Sequence, residues 1–467
     1  MSCCYEHMDD LGQAMFGHAK LGDQRRTKRL VSTFERIRRQ PGGSLPDKLA
    51  SPADLEALYR LCRCKAVTHP LIVDAMREYT LERINNHEGP VLVVHDATEL
   101  DYTSLRSLSD ELGQIGNGHG RGYVCQNVLA IDASTGAVLG LLDQILHCRD
   151  EVSKKESLPE RRNRETRESL LWVKGAEHLP AEMQLIDVAD QGASTFEFLE
   201  HEFKSGRRFV IRNGKVRKVY AGHKPEGPKQ HLKQYAQSLP ELGRYTMDVQ
   251  AQKGRKARTQ AEFAVRGGPI LLLPPHAKYG HHGNDPLPMY VVYVIEVSPP
   301  PVGEKPINWM LLTNEPVHNL EDAWRVVGWY EKRWTIEEYH KAMKTGCEIE
   351  DFQFTAAERL QPAIALISAV SLTLLSLRDA SRQPDASTRP AATLFPSEYV
   401  ETLSGWRYGK IRSEMTVEDF FLALARLGGH QNRKRDHLPG WLILWRGWTK
   451  LHYIIDGYVL AFDLRCD

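Results

Sequence analysis

Four residue types that can hold phosphate or metal recur in residues 329–344, WYEKRWTIEEYHKAMK. They are a phenol, a guanidinium, a carboxylate and an ammonium, at Tyr330, Arg333, Glu337 and Lys344. Each residue of an α-helix turns by 100°, so one continuous helix places all four within an arc of about 60°. The carboxylate can hold a divalent metal ion, while the phenol and the two cations can hold phosphate oxygens.

Two other interpretations of this stretch remain open. The same pattern is typical of a salt-bridged surface helix that has no site. Thr335 and Glu338 also have the spacing of a capping box, so that a new helix could begin at Thr335. In either geometry Glu337 and Lys344 stay on one face.

Two further acids follow short apolar strands. Residues 91–94 predict a buried strand that ends at Asp96, and MQLIDVADQGAS predicts a second strand that ends at Asp190. Side chains at the carboxyl ends of strands gather at the edge where ligands bind. Asp96, Asp190 and Glu337 together therefore predict a hard-cation site of the two-metal type.

Other acids nearby could contribute to such a site. Glu99 and Asp101 follow Asp96 closely, and Asp187 precedes Asp190. Asp187 is an odd number of residues from Asp190, so a regular strand places it on the opposite face of the sheet.

Composition limits the class of protein. The chain has 467 residues, 42% hydrophobic and 26% charged, as in an ordinary globular protein of two or three domains. No run approaches 18 consecutive apolar residues, so no membrane span is expected. The N-terminus has no apolar segment typical of a secretory signal. Eight scattered cysteines lack zinc-site spacing and favour free thiols in a reducing cytoplasm.

The charge distribution favours a polyanionic partner. The net charge is only +1, but residues 25–39 hold seven Lys or Arg against one acid, and residues 204–233 hold ten against one. Either stretch alone could be a solvated basic surface. Two such stretches in a nearly neutral chain indicate phosphate backbones.

The order of predicted elements suggests three parts. Residues 1–70 are predicted as short helices, residues 71–370 as an α/β core with extra strands over about 237–315, and residues 371–467 as helical. The predicted core includes a hairpin that turns at residues 134–136. Trp441, Trp445 and Trp448 share one face of the last helix, which is either a dimer surface or a core helix.

The spacing Y-(2)-R-(3)-E-(6)-K resembles the signature of the insertion-sequence-four family of bacterial DDE transposases. Several other segments are similar to this family in the same order, including LGDQRRTKRL, LEALYR, DATELDY, VAD, PINWMLLTNEPV, LARLGG and PGWLILWRGW. The resemblance implies a ribonuclease-H-like core, interrupted by a β insertion and flanked by a DNA end-binding domain and a C-terminal dimerisation domain.

The same resemblance implies an activity, its cofactors and its partners. Asp96, Asp190 and Glu337 would hold two Mg²⁺ or Mn²⁺ ions. The protein would bind transposon ends, cut them through a hairpin intermediate and join the 3′ ends to target DNA. It would act as a homodimer on double-stranded DNA in the bacterial cytoplasm, associated with the nucleoid.

The resemblance also implies a set of DNA-binding residues. These are Tyr330, Arg333, Lys341, Lys344, Trp309, Arg212, Arg26, Arg29, Arg39 and Arg60. Trp309 would stack on a flipped base, although it could instead be a core aromatic residue. Arg60 could instead form an ordinary surface ion pair.

Two positions depart from the family pattern. Gln191 and Gly192 follow the second acid where the family usually has Arg-Glu, and Ala97 stands where a threonine is common. Neither change removes a metal ligand. The alternatives to a transposase are a regulator or inhibitor of transposition that no longer cuts, and a metal-dependent nuclease that does not join ends.

Overall fold

A computed structural model describes residues 11–49, 51–116, 118–150, 155–180, 183–249, 255–275, 280–433, 436 and 438–466. Cys3 and Cys4 lie outside the described residues. Within them one large mixed sheet is flanked by helices at both ends of the chain.

The helices lie mainly before and after the sheet. Their bounds are α1 Leu11–Phe16, α2 Gln24–Arg39, α3 Leu45–Leu49, α4 Pro52–Arg63, α5 His69–Asn85, α6 Leu158–Asn163, α7 Leu171–Glu177, α8 Phe196–Lys204, α9 Leu232–Ser238, α10 Leu320–Glu331, α11 Trp334–Lys341, α12 Ala357–Ser381, α13 Ser397–Tyr408, α14 Val417–Leu427 and α15 Trp441–Cys466.

The strands form one twelve-stranded sheet. Their bounds are β1 Val91–Asp101, β2 Gly113–Ile115, β3 Gly120–Asp132, β4 Val138–His147, β5 Leu185–Ala189, β6 Arg208–Arg212, β7 Lys218–Ala221, β8 Gln230–His231, β9 Glu241–Val249, β10 Arg258–Leu272, β11 Leu287–Glu296 and β12 Asn308–Thr313. The order is β2-β3-β1-β5-β6-β12-β11-β10-β7-β8, with β4 on β3 and β9 on β10. Only β1, β5 and β6 run parallel to one another.

The N-terminal helices begin where the sequence predicts. The Asp23 carboxylate caps α2 by accepting the Arg25 backbone N–H at 2.8 Å, and Pro52 opens α4 after Ser51. Leu30, Phe34 and Ile37 of α2 are fully buried. One face of α2 therefore packs into the core, and most of its cations remain at the surface.

The first long strand extends beyond its predicted end. β1 continues past Asp96 to Asp101 because β3 pairs with it along its whole length. Its parallel pairing with β5 stops at His95 opposite Ala189. Asp96 and Asp190 therefore emerge side by side, where the parallel part of the sheet ends.

The extra β region also begins earlier than predicted. β9 to β12 fall within the predicted 237–315, but β7 and β8 precede them and pair in the same sheet. β12 pairs with β6, so the added strands extend the central sheet without forming a separate one. The basic and glycine-rich residues around β7 concealed this short strand from pattern analysis.

The C-terminal helices form a compact aromatic core. Trp441, Trp445 and Trp448 are at most 5% exposed, and Tyr399 stacks on Trp448 with ring centroids 5.4 Å apart. The tryptophan face of α15 is therefore interior, as the core-helix alternative predicts. α12 is long and apolar enough to span a membrane, but 89% of its apolar window is buried against the rest of the protein.

A buried charged cluster ties the three parallel strands together. His95 Nε2 lies 2.6 Å from Asp187 Oδ1, and Arg207 Nε donates to Asp187 Oδ2 at 2.8 Å. Burial alone raises the pKa of Asp187, but Arg207 and His95 bring it below its usual value. Burial and the Asp187 charge raise the pKa of the neighbouring Glu202 well above its usual value, which favours its protonated form.

Isosteric substitutions should distinguish the roles of the Asp187 and Glu202 carboxyl groups. Asp187→Asn removes the charge that His95 and Arg207 share, and we expect it to lower the free energy of unfolding by about 3 kcal/mol. Glu202→Gln should be nearly neutral at pH 5. Because Glu202 binds its proton in the folded state, stability should fall as pH rises above about 4.3, and Glu202→Gln should remove that loss. Urea unfolding between pH 5 and 8 measures both, and equal effects of the two substitutions would contradict the assignment.

Candidate active site

Two of the predicted acids are held by their own backbone turns. The Asp190 carboxylate accepts the Gly192 N–H at 2.7 Å, and the Asp96 carboxylate accepts the Ala97 N–H at 2.9 Å. Both side chains are half-buried at the end of the parallel strands.

Arg333 joins the first acid to the third. Its Nη1 donates to Asp96 Oδ2 at 3.3 Å, and its Nη2 donates to Glu337 Oε1 on α11. The guanidinium is only 14% exposed. Arg333 is more than 200 positions from Asp96 in the sequence. Its guanidinium thus joins Asp96 of β1 and Glu337 of α11 in one cluster of opposite charges.

The helix that carries Glu337 is not continuous. α10 ends at Glu331 and α11 begins at Trp334, with the Arg333 N–H donating to the Tyr330 carbonyl at 3.1 Å. Thr335 does not cap α11, since its hydroxyl lies 3.5 Å from the Gly136 carbonyl oxygen. The continuous helix is therefore wrong. A new helix does begin here, one residue before Thr335 and without the capping box, and Arg333 sits at the tight turn between the two helices.

The site concentrates negative charge in a partly buried position. The pKa of Asp96 is raised to about 6, mainly by burial and further by Asp190 and Glu337, while Arg333 opposes the rise. Asp96 therefore interacts electrostatically with both other predicted acids. Burial disfavours the charge of Arg333, but Tyr330 and the two acids more than offset this and raise its pKa.

A divalent metal ion of the Mg²⁺ type requires several oxygen ligands in one place. Across the described parts of the chain, no three His, Cys, Asp or Glu side chains lie close enough together to hold a metal as they stand. Arg333 contacts two of the three acids and supplies the positive charge between them. An all-carboxylate donor set suits Mg²⁺ or Mn²⁺. The three carboxylates therefore have the donor chemistry of a hard-cation site, while Arg333 compensates the charges of Asp96 and Glu337 in the structure described.

Trp309, Tyr330 and Arg333 form a row of side-chain contacts next to the acids. The Trp309 ring, half-buried on β12, meets the Tyr330 ring edge-on with centroids 5.7 Å apart. The Arg333 guanidinium lies 5.9 Å from the Tyr330 ring centroid. Tyr330 itself is only 6% exposed. Its ring therefore acts mainly as the packing support between Trp309 and Arg333.

The last signature residue occupies a different environment. A π-helical turn, Ala342–Gly346, follows α11, so the arc calculated for a regular α-helix does not describe Lys344. The Lys344 ammonium donates to the Glu99 carbonyl and lies 3.1 Å from Glu350. It lines a cleft of about 440 Å³ together with Glu99 and Glu350. Lys341 is exposed one turn earlier.

The predicted arginines outside the signature differ in how accessible they are to DNA. Arg212 on β6 is half-buried and donates to the Asn308 carbonyl at 3.3 Å, beside Trp309. Of the stretch at residues 204–233, Arg207 and Arg217 are buried and structural, so they cannot contact phosphate.

In the N-terminal helices several arginines have protein partners. Arg26 donates to the Leu21 carbonyl at 2.8 Å, and Arg29 lies 3.8 Å from Asp54. Arg60 pairs with Glu56 at 3.0 Å, as the surface-pair alternative predicts. Arg39 is exposed at the end of α2.

Packing explains one departure from the family pattern. A Cβ atom at position 192 would lie 2.9 Å from Asp190 Oδ1 and 3.1 Å from Trp172. A glutamate at this position would therefore displace the second acid or its neighbour. The lack of a side chain at Gly192 therefore leaves room for the Asp190 carboxylate, which the Gly192 N–H also holds in place.

Sequence analysis missed two polar residues that lie behind the acids. Asn127 on β3 pairs in register with Asp96, and His340 on α11 lies within hydrogen-bond distance of Asn127. The only signal was a Gln-Asn pair inside the otherwise apolar strand YVCQNVLA.

The charge cluster predicts opposite pKa changes in two variants. Arg333→Gln removes the cation that stabilises ionised Asp96, so the pKa of Asp96 should rise above 6. Glu337→Gln removes a like charge, so this pKa should fall. Carboxyl ¹³C NMR titration of aspartate-labelled protein measures both, with Asp96→Asn assigning the signal. Shifts of the same sign would show that the three side chains do not form one electrostatic unit.

Comparisons with known proteins support a transposase. Residues 8–67 match the family model described as "Transposase DNA-binding". A cryo-EM structure of the piggyBac transposase synaptic complex with hairpin DNA superposes with a TM-score of 0.32 and 7% identity, covering 97% of this chain and 79% of that chain. At this TM-score the superposition does not establish a common fold. The helical N-terminal segment is therefore similar to transposase DNA-binding domains, which supports DNA as its partner.

Proposed function

We propose that the protein is a cut-and-paste DDE transposase of the insertion-sequence-four family, resembling in particular the transposase of transposon Tn-five. One observation carries the proposal: Asp190 and Glu337, both distant in sequence from Asp96, act on the charge of Asp96 at the end of the parallel strands. The same chain carries a segment similar to transposase DNA-binding domains.

The topology around the acids supports a ribonuclease-H-like core. β1 lies between antiparallel β3 and parallel β5, and β6 continues the parallel part. Two acids leave adjacent parallel strands, and the third comes from a helix that packs on β1. β7 to β11 enter the chain between β6 and β12, which supports an insertion into such a core.

The mechanism assigns a task to each group. Asp96, Asp190 and Glu337 would hold two Mg²⁺ or Mn²⁺ ions, which when bound activate a water or 3′-OH and stabilise the leaving oxygen. With a pKa near 6, Asp96 is mostly ionised at neutral pH and can bind a cation. Arg333 then becomes available to a phosphate of the cleaved strand. Lys344 and exposed Lys341 add positive charge on the same segment.

Trp309 would stack on the base that is flipped out in a hairpin intermediate. A tight DNA hairpin requires an unstacked base, and an aromatic ring that stacks on it contributes about 1–3 kcal/mol. The Trp309 ring is partly accessible and braced by Tyr330, which lies next to Arg333. A base held there would be close to the acids.

The C-terminal helix could bring two copies together on paired transposon ends. Its tryptophans are buried, so the homodimer contact would use the exposed far end of α15. That end includes Tyr453 at 55%, Tyr458 at 69% and Leu460 at 60% exposure. We place the assembly in the bacterial cytoplasm, on the nucleoid.

Glu337→Gln should abolish end cleavage and hairpin formation while leaving end binding unchanged. The substitution removes a metal ligand but keeps the side-chain volume and the N-terminal DNA-binding segment. The assay incubates the protein with its flanking genomic ends and Mg²⁺ or Mn²⁺ and resolves nicked and hairpinned DNA on denaturing gels.

Glu321→Gln is the matched control, since Glu321 is an exposed acid in the first turn of α10. It should cleave like the wild type. Retained cleavage in Glu337→Gln would exclude the assigned role of Glu337. Unprocessed DNA from a wild-type protein that binds ends would instead identify a regulator.

Arg39→Ala should weaken end binding about equally for related sequences. An exposed arginine that contacts phosphate contributes through counterion release, so the slope of log K against log salt should decrease by about 1. Fluorescence anisotropy over a salt series measures this slope. Arg60→Ala, which removes an ion pair with Glu56, should have a smaller effect, and the reverse order would contradict the assignment.

A further inference from the structure

Four buried polar side chains form a continuous hydrogen-bonded chain beneath the site. His69 Nε2 lies 3.0 Å from Gln144 Oε1, and Gln144 Nε2 donates to Asn127 Oδ1 at 2.8 Å. Asn127 Nδ2 then lies 3.1 Å from His340 Nε2. All four residues are at most 9% exposed. They connect the first turn of α5, two strands and the helix that carries Glu337.

The hydrogen bonds of this chain have one direction. Asn127 Nδ2 donates to the Cys125 backbone carbonyl at 3.3 Å, and this oxygen can only accept, so the contact fixes the orientation of the Asn127 amide. Asn127 Oδ1 therefore accepts from Gln144 Nε2, which leaves Gln144 Oε1 to accept from His69. The second hydrogen on Asn127 Nδ2 donates to His340. His340 Nε2 is therefore an unprotonated acceptor, and a neutral ring carries its proton on Nδ1.

The surroundings favour that neutral ring. The pKa of His340 is lowered to about 3, mainly by burial and in smaller part by the charges of Lys344 and Arg333. Burial lowers the pKa of His69 to about 4. A protonated His340 would place a third cation beside Arg333 and Lys344.

This hydrogen-bonded chain also links the structural elements that carry Asp96 and Glu337. Asn127 is the cross-strand partner of Asp96, so both side chains project from the same face of the sheet. His340 lies three residues after Glu337, almost one turn along α11. The Asn127–His340 hydrogen bond therefore joins the strand pair that carries Asp96 to the helix that carries Glu337.

We propose that Asn127 and His340 are positioning residues that fix the separation between the Asp96 and Glu337 carboxylates, with His340 held as the Nδ1–H tautomer. The consequence for metal binding rests on the proposed function; the tautomer does not. Residues that orient metal ligands from behind typically change metal affinity or activity 10- to 100-fold.

The competing explanation is that the chain only stabilises the core. Thr80→Val is a matched control for this, because Thr80 is 1% exposed and its hydroxyl donates to the Met76 and Leu141 carbonyls in the same core. It removes buried hydrogen bonds of similar kind without touching α11.

The tautomer is measured on the wild-type full-length chain. ¹⁵N NMR of histidine-labelled protein distinguishes protonated from unprotonated ring nitrogens, and His340→Gln assigns the signal. The proposal predicts an unprotonated Nε2 at neutral pH, and a protonated Nε2 would overturn it. The tautomer is read from the wild-type protein, and the variant serves only to assign its signal.

The positioning role is tested by Mn²⁺ titration and single-turnover cleavage of transposon ends. Asn127→Leu and His340→Leu should lose about 10- to 100-fold in both, with unchanged end binding. His340→Gln keeps an acceptor oxygen and should recover most of the loss. Thr80→Val should match the wild type.

Equal Mn²⁺ affinity and cleavage in Asn127→Leu and Thr80→Val would overturn the positioning role, as would a His340→Gln variant no better than His340→Leu. A wild-type protein that neither binds Mn²⁺ nor cleaves would contradict the proposed function instead. The NMR result would still decide the direction of the hydrogen-bonded chain.

Discussion

The charge balance around Asp96 at the sheet edge is the constraint on which this site depends. Asp190 and Glu337 raise the free energy of ionised Asp96, and Arg333 offsets that cost in the structure described. A divalent cation can offset it more strongly, because it concentrates two charges among the same oxygens. If a metal ion replaced Arg333 as the positive charge among these acids, Arg333 would be free to bind a DNA phosphate.

The fold supplies the rigidity that such a cluster needs. Parallel pairing of β1 with β5 brings two acids together, and the buried Asp187 behind them ties the parallel strands through His95 and Arg207. α11 brings the third acid and is joined to β3 by the Asn127–His340 hydrogen bond. The charged face is therefore supported by polar contacts on both sides of the sheet.

The sequence predicted the acids better than their surroundings. Short apolar strands located Asp96 and Asp190, since burial on both faces leaves a clear apolar run. The possible capping box placed a helix start within one residue of Trp334, but helical periodicity continues across the tight turn and could not decide between a break and a continuous helix. The local pair of Arg60 with Glu56 could be anticipated, whereas the ion pair of Arg29 with Asp54, and the burial of Arg207 and Arg217, depend on residues distant in sequence. Asn127 and His340 were missed for the same reason.

Anomalous scattering from crystals of the protein soaked with Mn²⁺ and a transposon-end DNA tests the central claim most directly. We predict two manganese peaks among Asp96, Asp190 and Glu337, with the Arg333 guanidinium moved from these acids to a DNA phosphate. A map in which Arg333 still bridges Asp96 and Glu337, with manganese absent or bound elsewhere, would contradict the account.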